Sequence, residues 1–416
     1  MDYSKEPLQI DSTAGKKKPV PVLFQRRENC CGCSACYAVC PVQAISMEED
    51  EEGFLYPKIS SEKCIGCRRC LSVCAFKRDQ EARGHLNTVD FNKVPDQSDS
   101  YQAAKYDKPV PFAVKHKDLD VRNESSSGGM FTALSDQILS ENGIIYGCML
   151  NDSFHAVHER AEDREIRNQM RGSKYVQSEM RDSFFRASED LKSGKKVLFT
   201  GTPCQIAGLN SYLGKEYDRL LCADLVCLGV PSPKVWRDYL KWVEKRHRSR
   251  IIFAQFRNKK DYGWSKTKEK LVLENGKQID SHDFLVLFYN RCILRPCCYH
   301  CPYKDVIHPG NLTIGDYWGI DKVIPGYNDE RGVSLVLIND GKGSCAFETI
   351  RDKVDAIRTE VEECLQPSLI APCEEPKKRA ELWNTYLHRS FPAFMKKYST
   401  GYAIKAIRTL KSFLVR

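Results

Sequence analysis

Residues 30–41 read CCGCSACYAVCP, and residues 64–75 repeat the same cysteine spacing as CIGCRRCLSVCA. Both runs follow the pattern C-x-x-C-x-x-C-x-x-x-C, which is carried first by Cys30, Cys33, Cys36 and Cys40, and then by Cys64, Cys67, Cys70 and Cys74. Three thiolates at this spacing can converge on one metal cluster, while backbone N–H groups of the same tight loop point at the cluster. The doubled pattern therefore predicts two clusters and a role in electron transfer.

The same spacing is typical of bacterial two-cluster ferredoxins, in which the fourth cysteine of each run binds the other cluster. This motif predicts two [4Fe–4S] sites with crossed ligands: Cys30, Cys33 and Cys36 with Cys74, and Cys64, Cys67 and Cys70 with Cys40. Zinc is an alternative because it also takes four thiolates, although zinc sites usually present two C-x-x-C pairs. Cys31, which lies next to a predicted ligand, is expected to be a spectator.

Length and composition indicate an enzyme with more than one domain. The chain has 416 residues, of which 42% are hydrophobic, enough to form sizeable cores. It has no stretch of ~20 apolar residues, and Met1–Lys18 lacks an apolar signal segment. We therefore expect a cytoplasmic protein, whose 20 cysteines serve as metal ligands and core thiols and do not form disulfides.

The net charge of +9 is concentrated towards the C-terminus, where residues 377–416 are strongly basic. This tail could contact an acidic partner or a membrane surface. Ile404, Ile407, Leu410 and Leu414 have helical spacing, which allows an amphipathic surface helix, but we favour a helix docked on its own domain. No nucleic-acid-binding module accompanies the basic residues, so no nucleic-acid partner is predicted.

The predicted fold class combines a small ferredoxin-like α+β domain with a layered α/β core and a basic helical tail. The predicted segments are an N-terminal tail (1–22), a ferredoxin-type domain (23–80), a polar linker (81–110), the α/β core (111–365) and the tail (366–416). Within the core, helices are predicted at 129–141, 180–193, 205–213 and 233–246, and strands at 143–150, 196–200, 220–227 and 251–257. This alternation favours a mostly parallel sheet with ligands at the carboxyl ends of its strands.

Three loops of the core carry side chains suited to chemistry. Small residues at Ser125–Gly129 run into a helix and could approach a phosphate, although they also suit an ordinary cap. Arg171–Ser178 could hold a pyrophosphate or stack on a ring, or could be a solvated loop. Gly201–Gln205 follows a buried strand, so Cys204 could face a crevice or could be a packing cysteine.

Six segments in order resemble the beta subunit family of coenzyme F-420 hydrogenase/dehydrogenase, a group that also includes chlorophyll-reducing relatives. The segments are SSSGGMFTAL, RGSKYVQS, VLFTGTPCQIAGL, DLVCLGVPSP, CYHCPYKD and IGDYWG, and the resemblance covers about Val114 to Asp340. A ferredoxin unit is a frequent N-terminal companion in this family. The resemblance implies that residues 111–365 form an FAD domain with hydride chemistry at the flavin ring.

The resemblance also implies a third cluster. Carried onto this sequence, its ligands are Cys204, Cys227, Cys298 and Cys301. The spacing alone allows only the C-x-x-C pair, with Cys292 and Cys297 as rival ligands. For FAD the implied contacts are Ser127, Gly128 and Gly129 near the phosphates, with Lys174 and Tyr175 close by.

No catalytic residue can be assigned from the sequence. Asp316 and Trp318 could line the substrate side of the flavin or form a structural turn. His300 and His308 lie near the proposed third cluster and could relay protons, but a lone histidine is more often structural.

The parts together predict an iron–sulfur flavoprotein oxidoreductase that couples one-electron transfer through 4Fe-4S clusters to hydride chemistry at FAD. Its expected partners are ferredoxin or another one-electron carrier, and a small-molecule hydride donor or acceptor. The substrate would be the deazaflavin coenzyme F-420 or another organic acceptor. Two alternatives remain: a non-catalytic electron-transfer subunit that docks on a partner enzyme, and a relative that keeps its clusters but has lost FAD.

Overall fold

The computed structural model describes residues 19–84 and 105–400. The two cysteine runs flank an antiparallel hairpin, in which Ile45 pairs with Ile59. Its elements are α1 (Ala35–Ala38), β1 (Ile45–Glu49), β2 (Leu55–Ile59), α2 (Arg69–Ser72) and α3 (Ala75–Gly84). We call residues 23–80 the cluster unit.

The two cysteine runs share one backbone conformation. Gly32 and Gly66 occupy equivalent positions with φ of 71° and 69°, and Ser34 and Arg68 follow with φ of 65° and 60°. Two left-handed residues so close together bend each loop tightly around its cysteines. The repeated spacing in sequence is therefore a repeated loop in space.

The rest of the described chain forms two sheets and their covering helices. The strands are β3 (Lys105–His116), β4 (Ile144–Leu150), β5 (Ala156–Ala161), β6 (Val197–Gly201), β7 (Leu220–Leu225), β8 (Ile251–Gln255), β9 (Glu269–Leu273), β10 (Gln278–Ser281), β11 (Leu312–Asp316), β12 (Ser334–Asp340) and β13 (Val354–Arg358). The helices are α4 (Leu119–Glu124), α5 (Met130–Ser140), α6 (Arg164–Met170), α7 (Ser183–Lys192), α8 (Pro203–Leu213), α9 (Pro233–His247), α10 (Lys259–Tyr262), α11 (Asp283–Tyr289), α12 (Ile320–Val323), α13 (Gly341–Glu348), α14 (Arg379–His388) and α15 (Phe391–Met395).

The large sheet has the strand order β13-β3-β12-β11-β7-β6-β4-β5 and is mixed. Strands β4, β6, β7 and β11 are parallel to one another, whereas β5, β12, β3 and β13 join it through antiparallel pairs. The prediction of a mostly parallel sheet is therefore wrong. Part of the reason is connection length: the short turn between β4 and β5 cannot cross over the sheet, so it forces an antiparallel pair.

The elements predicted between residues 129 and 246 are found with their types correct and their ends shifted by at most a few residues. Strand β8, predicted at 251–257, is also found, but it lies outside the large sheet. It forms an antiparallel three-stranded sheet with β9 and β10. Its Ile252 and Phe253 side chains are exposed, unlike those of a central strand.

Buried polar contacts join the cluster unit to the core. Arg295, which has no exposed surface, donates hydrogen bonds to the carbonyls of Cys30 (2.9 Å) and Leu55 (3.0 Å) and to Gln177 Oε1 (2.9 Å). Its guanidinium lies 4.1 Å from the Tyr56 ring centroid. Because these partners come from both units, Arg295 fixes the cluster unit against the core.

A second contact reaches the cluster unit from the C-terminal region. Arg379, the first residue of α14, forms a two-bond buried ion pair with Glu52 of the β1–β2 turn. Trp383 of α14 and Phe394 of α15 pack into the same hydrophobic core as Trp236 of α9. The predicted amphipathic helix of residues 402–415 lies outside the described residues. Within the described ranges, no helix is long and apolar enough to span a membrane.

Candidate redox site

The cysteines of the two runs form two groups that draw on both runs. Cys40, Cys64, Cys67 and Cys70 line one cavity, and Cys67 is exposed to solvent. We call these four the distal group. Burial raises the pKa of Cys70, and the charges of the other three thiols raise it further. The fourth cysteine of the first run thus lies with three cysteines of the second, as the crossed pairing predicts, while ligation itself stays a prediction.

The other four cysteines, Cys30, Cys33, Cys36 and Cys74, form the proximal group. Burial raises the pKa of Cys36 well above its usual value, and the nearby Cys30, Cys33 and Cys74 thiols add to the rise. Arg295 lies at this group, with Nη2 3.7 Å from Cys30 Sγ. A cation beside four thiols suits a cluster that carries net negative charge.

Helix α8 connects the proximal group to the core. It begins after the β6 strand, where the Thr202 N–H donates a hydrogen bond to Gln205 Oε1 (2.9 Å). Cys204 stands in its first turn, and Gly208, one turn later, lies on the same face. A Cβ at Gly208 would come 2.8 Å from Cys33 Sγ. Glycine therefore lets the proximal group approach the helix that carries Cys204.

A Gly208→Ala variant is expected to push Cys33 away from α8 and to destabilise the protein by about 1–3 kcal/mol, the usual range for overpacking. Urea unfolding followed by cluster absorbance would measure the loss. Gly341→Ala is the matched control, because a Cβ on this helical glycine would meet no atom within 4 Å. Equal stability of the two variants would contradict the close contact.

Cys31, predicted to be a spectator, lies between the proximal group and Cys204. Its thiol is buried, and hydrogen-bonding contacts with Cys204 and Cys33 raise its pKa well above the usual value. Its carbonyl accepts a hydrogen bond from Gln177 Nε2 (3.0 Å). Cys31 therefore marks the place where the proximal group meets the core.

The predicted third set of ligands meets in a further cavity, lined by Cys204, Cys227, Cys298 and Cys301, which we call the third group. Gly201 of β6 pairs with Asp224 of β7. Cys204 lies three residues after Gly201, and Cys227 lies three residues after Asp224. Two neighbouring parallel strands thus deliver two of the thiols at the same edge of the sheet. The other two come from the turn Pro296–His300 and the residue after it.

The structure places the two rival ligands, Cys292 and Cys297, in different surroundings. Cys297 lines the same cavity as the third group, so it remains a rival. Cys292 packs in a different core, beneath Trp383, whose Nε1 donates a hydrogen bond to the Cys292 carbonyl (3.0 Å). Cys373, which the sequence did not single out, lies close enough to Cys298 for the two charges to interact.

The third group fits an anionic metal cluster. Burial raises the pKa of Cys227 to about 12, and the Lys304 charge opposes this rise. Lys304 is 5% exposed, lines the same cavity, and its Nζ has no hydrogen-bond partner among the described residues. Four thiols with an unpaired buried cation suit an iron–sulfur cluster. In the part of the chain that the structure describes, no three His, Cys, Asp or Glu side chains are placed to hold a single metal ion.

Asp316 and Trp318 lie at the carboxyl end of β11, in a connected polar and aromatic group. Asp316 accepts hydrogen bonds from Arg257 Nη1 (2.6 Å) and Trp264 Nε1 (2.7 Å). The Trp318 ring stacks on that of Trp264 at 4.7 Å. Both carboxylate oxygens are thus engaged within the protein, whereas the buried Arg257 Nε has no partner among the described residues.

The two loops predicted to bind FAD lie side by side. The Ser173 N–H donates a hydrogen bond to Ser126 Oγ (2.7 Å), which joins Ser125–Gly129 to Arg171–Ser178. Ser127 Oγ donates to the Val333 carbonyl (2.8 Å), and the Gly128 N–H donates to Ser334 Oγ (2.9 Å). These predicted phosphate contacts are therefore already satisfied within the protein.

The remaining predicted flavin contacts extend from these loops. Gly129 caps the start of α5 in the left-handed conformation, with φ of 98°. Lys174 Nζ donates to the carbonyls of Gln169 (2.9 Å) and Arg171 (2.8 Å), and burial lowers its pKa to about 8. Tyr175 packs near the third group, with its ring 5.1 Å from that of Phe288. The buried Arg171 Nε has no partner among the described residues, which suits an anionic cofactor.

The two histidines near the third group differ in surroundings. His300 is exposed, and its carbonyl accepts a hydrogen bond from Gln80 of the cluster unit (3.0 Å). His308 is buried, with Nδ1 2.8 Å from Asp224 Oδ1. This pair anchors the segment after the third group to the end of β7.

Two parts of the chain match known protein families. Residues 194–363 match the family described as the C terminus of the coenzyme F420 hydrogenase/dehydrogenase beta subunit, and residues 29–77 match the 4Fe-4S dicluster domain. Among solved structures, the chain is similar to one from the F420-reducing [NiFe] hydrogenase complex of Methanosarcina barkeri, studied by xenon derivatization. The two share 19% identity over 65% of this chain and 87% of that chain, with a TM-score of 0.41. No curated protein matches the chain.

Proposed function

The chain belongs to the coenzyme F420 hydrogenase/dehydrogenase beta subunit family and carries an N-terminal 4Fe-4S dicluster domain, and from this premise we propose that it is an iron–sulfur flavoprotein oxidoreductase. It would exchange single electrons with a carrier protein and a hydride with a small organic molecule. One observation carries this proposal: three cysteine groups follow one another from an exposed loop to the carboxyl edge of the large sheet.

The distal, proximal and third groups would each hold one 4Fe-4S cluster. When bound, such clusters supply one-electron transfer, and FAD supplies the exchange between one-electron and hydride chemistry. Contact between the proximal and third groups is supported by Cys33 against Gly208 and by Cys31 between Cys33 and Cys204. The exposed Cys67 makes the distal group the entry point for ferredoxin or another one-electron carrier.

The flavin would lie between the two adjacent loops and the end of β11. Arg171 and Arg257 would hold its negative charge, since a nitrogen of each is buried without a partner in the described chain. Tyr175 would separate the flavin from the third group, because it packs against the hydrophobic cluster to which Cys204 and Cys298 also belong and lies beside Arg257. Asp316 would hold the Arg257 guanidinium in place through the 2.6 Å contact. The substrate would be a deazaflavin or another organic hydride acceptor.

Anaerobically purified protein is expected to contain about 12 iron atoms, four for each of three clusters, together with one FAD per chain. Iron and released flavin should be measured in the same sample, so that incomplete loading of one is not mistaken for its absence. About 8 iron atoms without flavin would contradict both the third cluster and the FAD site.

One observation favours the alternative of an electron-transfer subunit that docks on a partner enzyme. The Ser127 hydroxyl and the Gly128 N–H are already bonded within the protein, so they would give little to a flavin phosphate. A protein of this kind would turn over no small molecule alone but would pass electrons to an added partner enzyme. Turnover of a hydride donor by the isolated chain would rule this alternative out.

A further inference from the structure

Lys304 is a buried cation directed to the third group. It lies three residues after Cys301, in a segment whose turn carries Cys298. It is 5% exposed and lines the cavity with the four thiols of the third group. Lys304 is therefore deeply buried and lines the same cavity as the four sulfur atoms.

The described protein offers no partner to this ammonium group. Among the described residues, no hydrogen-bond acceptor lies within reach of Lys304 Nζ. Burying an unpaired ammonium is energetically costly, so a buried lysine normally has an anion or several acceptors. The neighbouring wall of the cavity is mostly apolar, with Phe76 and Val230 among its residues. The described residues therefore leave the Lys304 ammonium group without a bonded anion.

The Lys304 charge interacts electrostatically with thiols of the third group. The Lys304 charge lies close enough to the Cys227 and Cys301 thiols to interact with both. The Lys304 charge also interacts with the thiols of Cys298 and Cys373. A charge that favours several thiolates at once also favours a cluster bound by them.

We propose that Lys304 sets the reduction potential of the third cluster by stabilising its reduced form. This inference rests on the proposed third cluster. A cluster bound by four thiolates becomes more negative by one unit on reduction, so a fixed cation beside it favours the reduced state and raises the potential. The electron would come from the proximal cluster, which would be oxidised by one unit in the same step, and no proton would be transferred. Lys304 thereby draws electrons from the cluster unit towards the core.

The test is a potentiometric titration of the holoprotein, followed by electron paramagnetic resonance. Lys304→Met, which keeps the length and removes the charge, is expected to lower the potential of the third cluster by at least 59 mV, a tenfold change in the ratio of its reduced to oxidised forms. Lys304→Arg keeps the charge and is expected to stay close to the wild-type potential. The proximal and distal clusters serve as internal controls, because they lie outside this cavity.

The outcomes separate the inference from the function on which it rests. About 12 iron atoms in Lys304→Met with an unchanged potential would overturn the role of Lys304 alone. About 8 iron atoms in the wild-type protein would overturn the third cluster and the role of Lys304 together. Loss of the third cluster in Lys304→Met but not in Lys304→Arg would support the charge requirement, whereas its loss in both would overturn it.

Discussion

Cys204→Ser is expected to lose about four of about 12 iron atoms per chain, because a serine hydroxyl is a poor ligand for an iron–sulfur cluster. The two clusters of the cluster unit should remain, since their eight cysteines are untouched. Iron analysis together with electron paramagnetic resonance would show which cluster is missing. Cys204 suits this test because it stands at the start of α8, between β6 and the proximal group.

Two cysteine variants serve as controls for this loss. Cys292→Ser changes a buried thiol that packs in another core, away from the third group. Cys31→Ser changes the thiol that contacts both Cys33 and Cys204 but belongs to neither predicted ligand set. Both are expected to keep all their iron. Full iron retention by Cys204→Ser would refute the third cluster, and iron loss from Cys31→Ser would make Cys31 a ligand.

Arg295→Met is expected to destabilise the protein by at least about 3 kcal/mol, and to release the cluster unit from the core before the core unfolds. The reason is that the carbonyls of Cys30 and Leu55 and the amide of Gln177 lose their donor in a buried place, each at about 1–3 kcal/mol. Urea unfolding should be followed both by cluster absorbance and by tryptophan fluorescence. Two separated transitions would report the release.

Arg237→Met is the matched control, because Arg237 joins the same two units through a surface ion pair with Glu49 (2.6 Å). A partly exposed pair of this kind contributes about 1 kcal/mol or less, so this variant should unfold almost as the wild type does. If both variants lost the same stability, the buried position of Arg295 would not be what holds the units together.

Local patterns in the sequence predicted much of the fold. The doubled cysteine spacing predicted the repeated loop, because both depend on residues within one short segment. Helices such as α8 and α9 were predicted to within a few residues, since capping and apolar spacing are also local. The coarse α/β class and the dicluster domain are confirmed.

The strand order could not be predicted, because it depends on pairs of strands far apart in sequence. Strand β3, for example, lies between β12 and β13, more than 200 residues later. For the same reason, the surroundings of Cys31, Arg295 and Lys304 could not be predicted from the sequence. Nothing near Cys31 in sequence shows that Cys204 will lie beside it, and a lysine after a C-x-x-C pair looks like any surface lysine until its burial is known.

The ion pair between Glu52 and Arg379 joins residues that are 327 positions apart in the chain. A ribosome that adds 5–20 residues per second needs roughly 15–65 s to pass from one to the other. During that interval the first cysteine run has already been synthesised, while the helix that will hold its unit in place does not yet exist. The cell therefore has a period in which these thiols are open to iron delivery and equally open to oxidation, before the contact with α14 completes the attachment of the cluster unit.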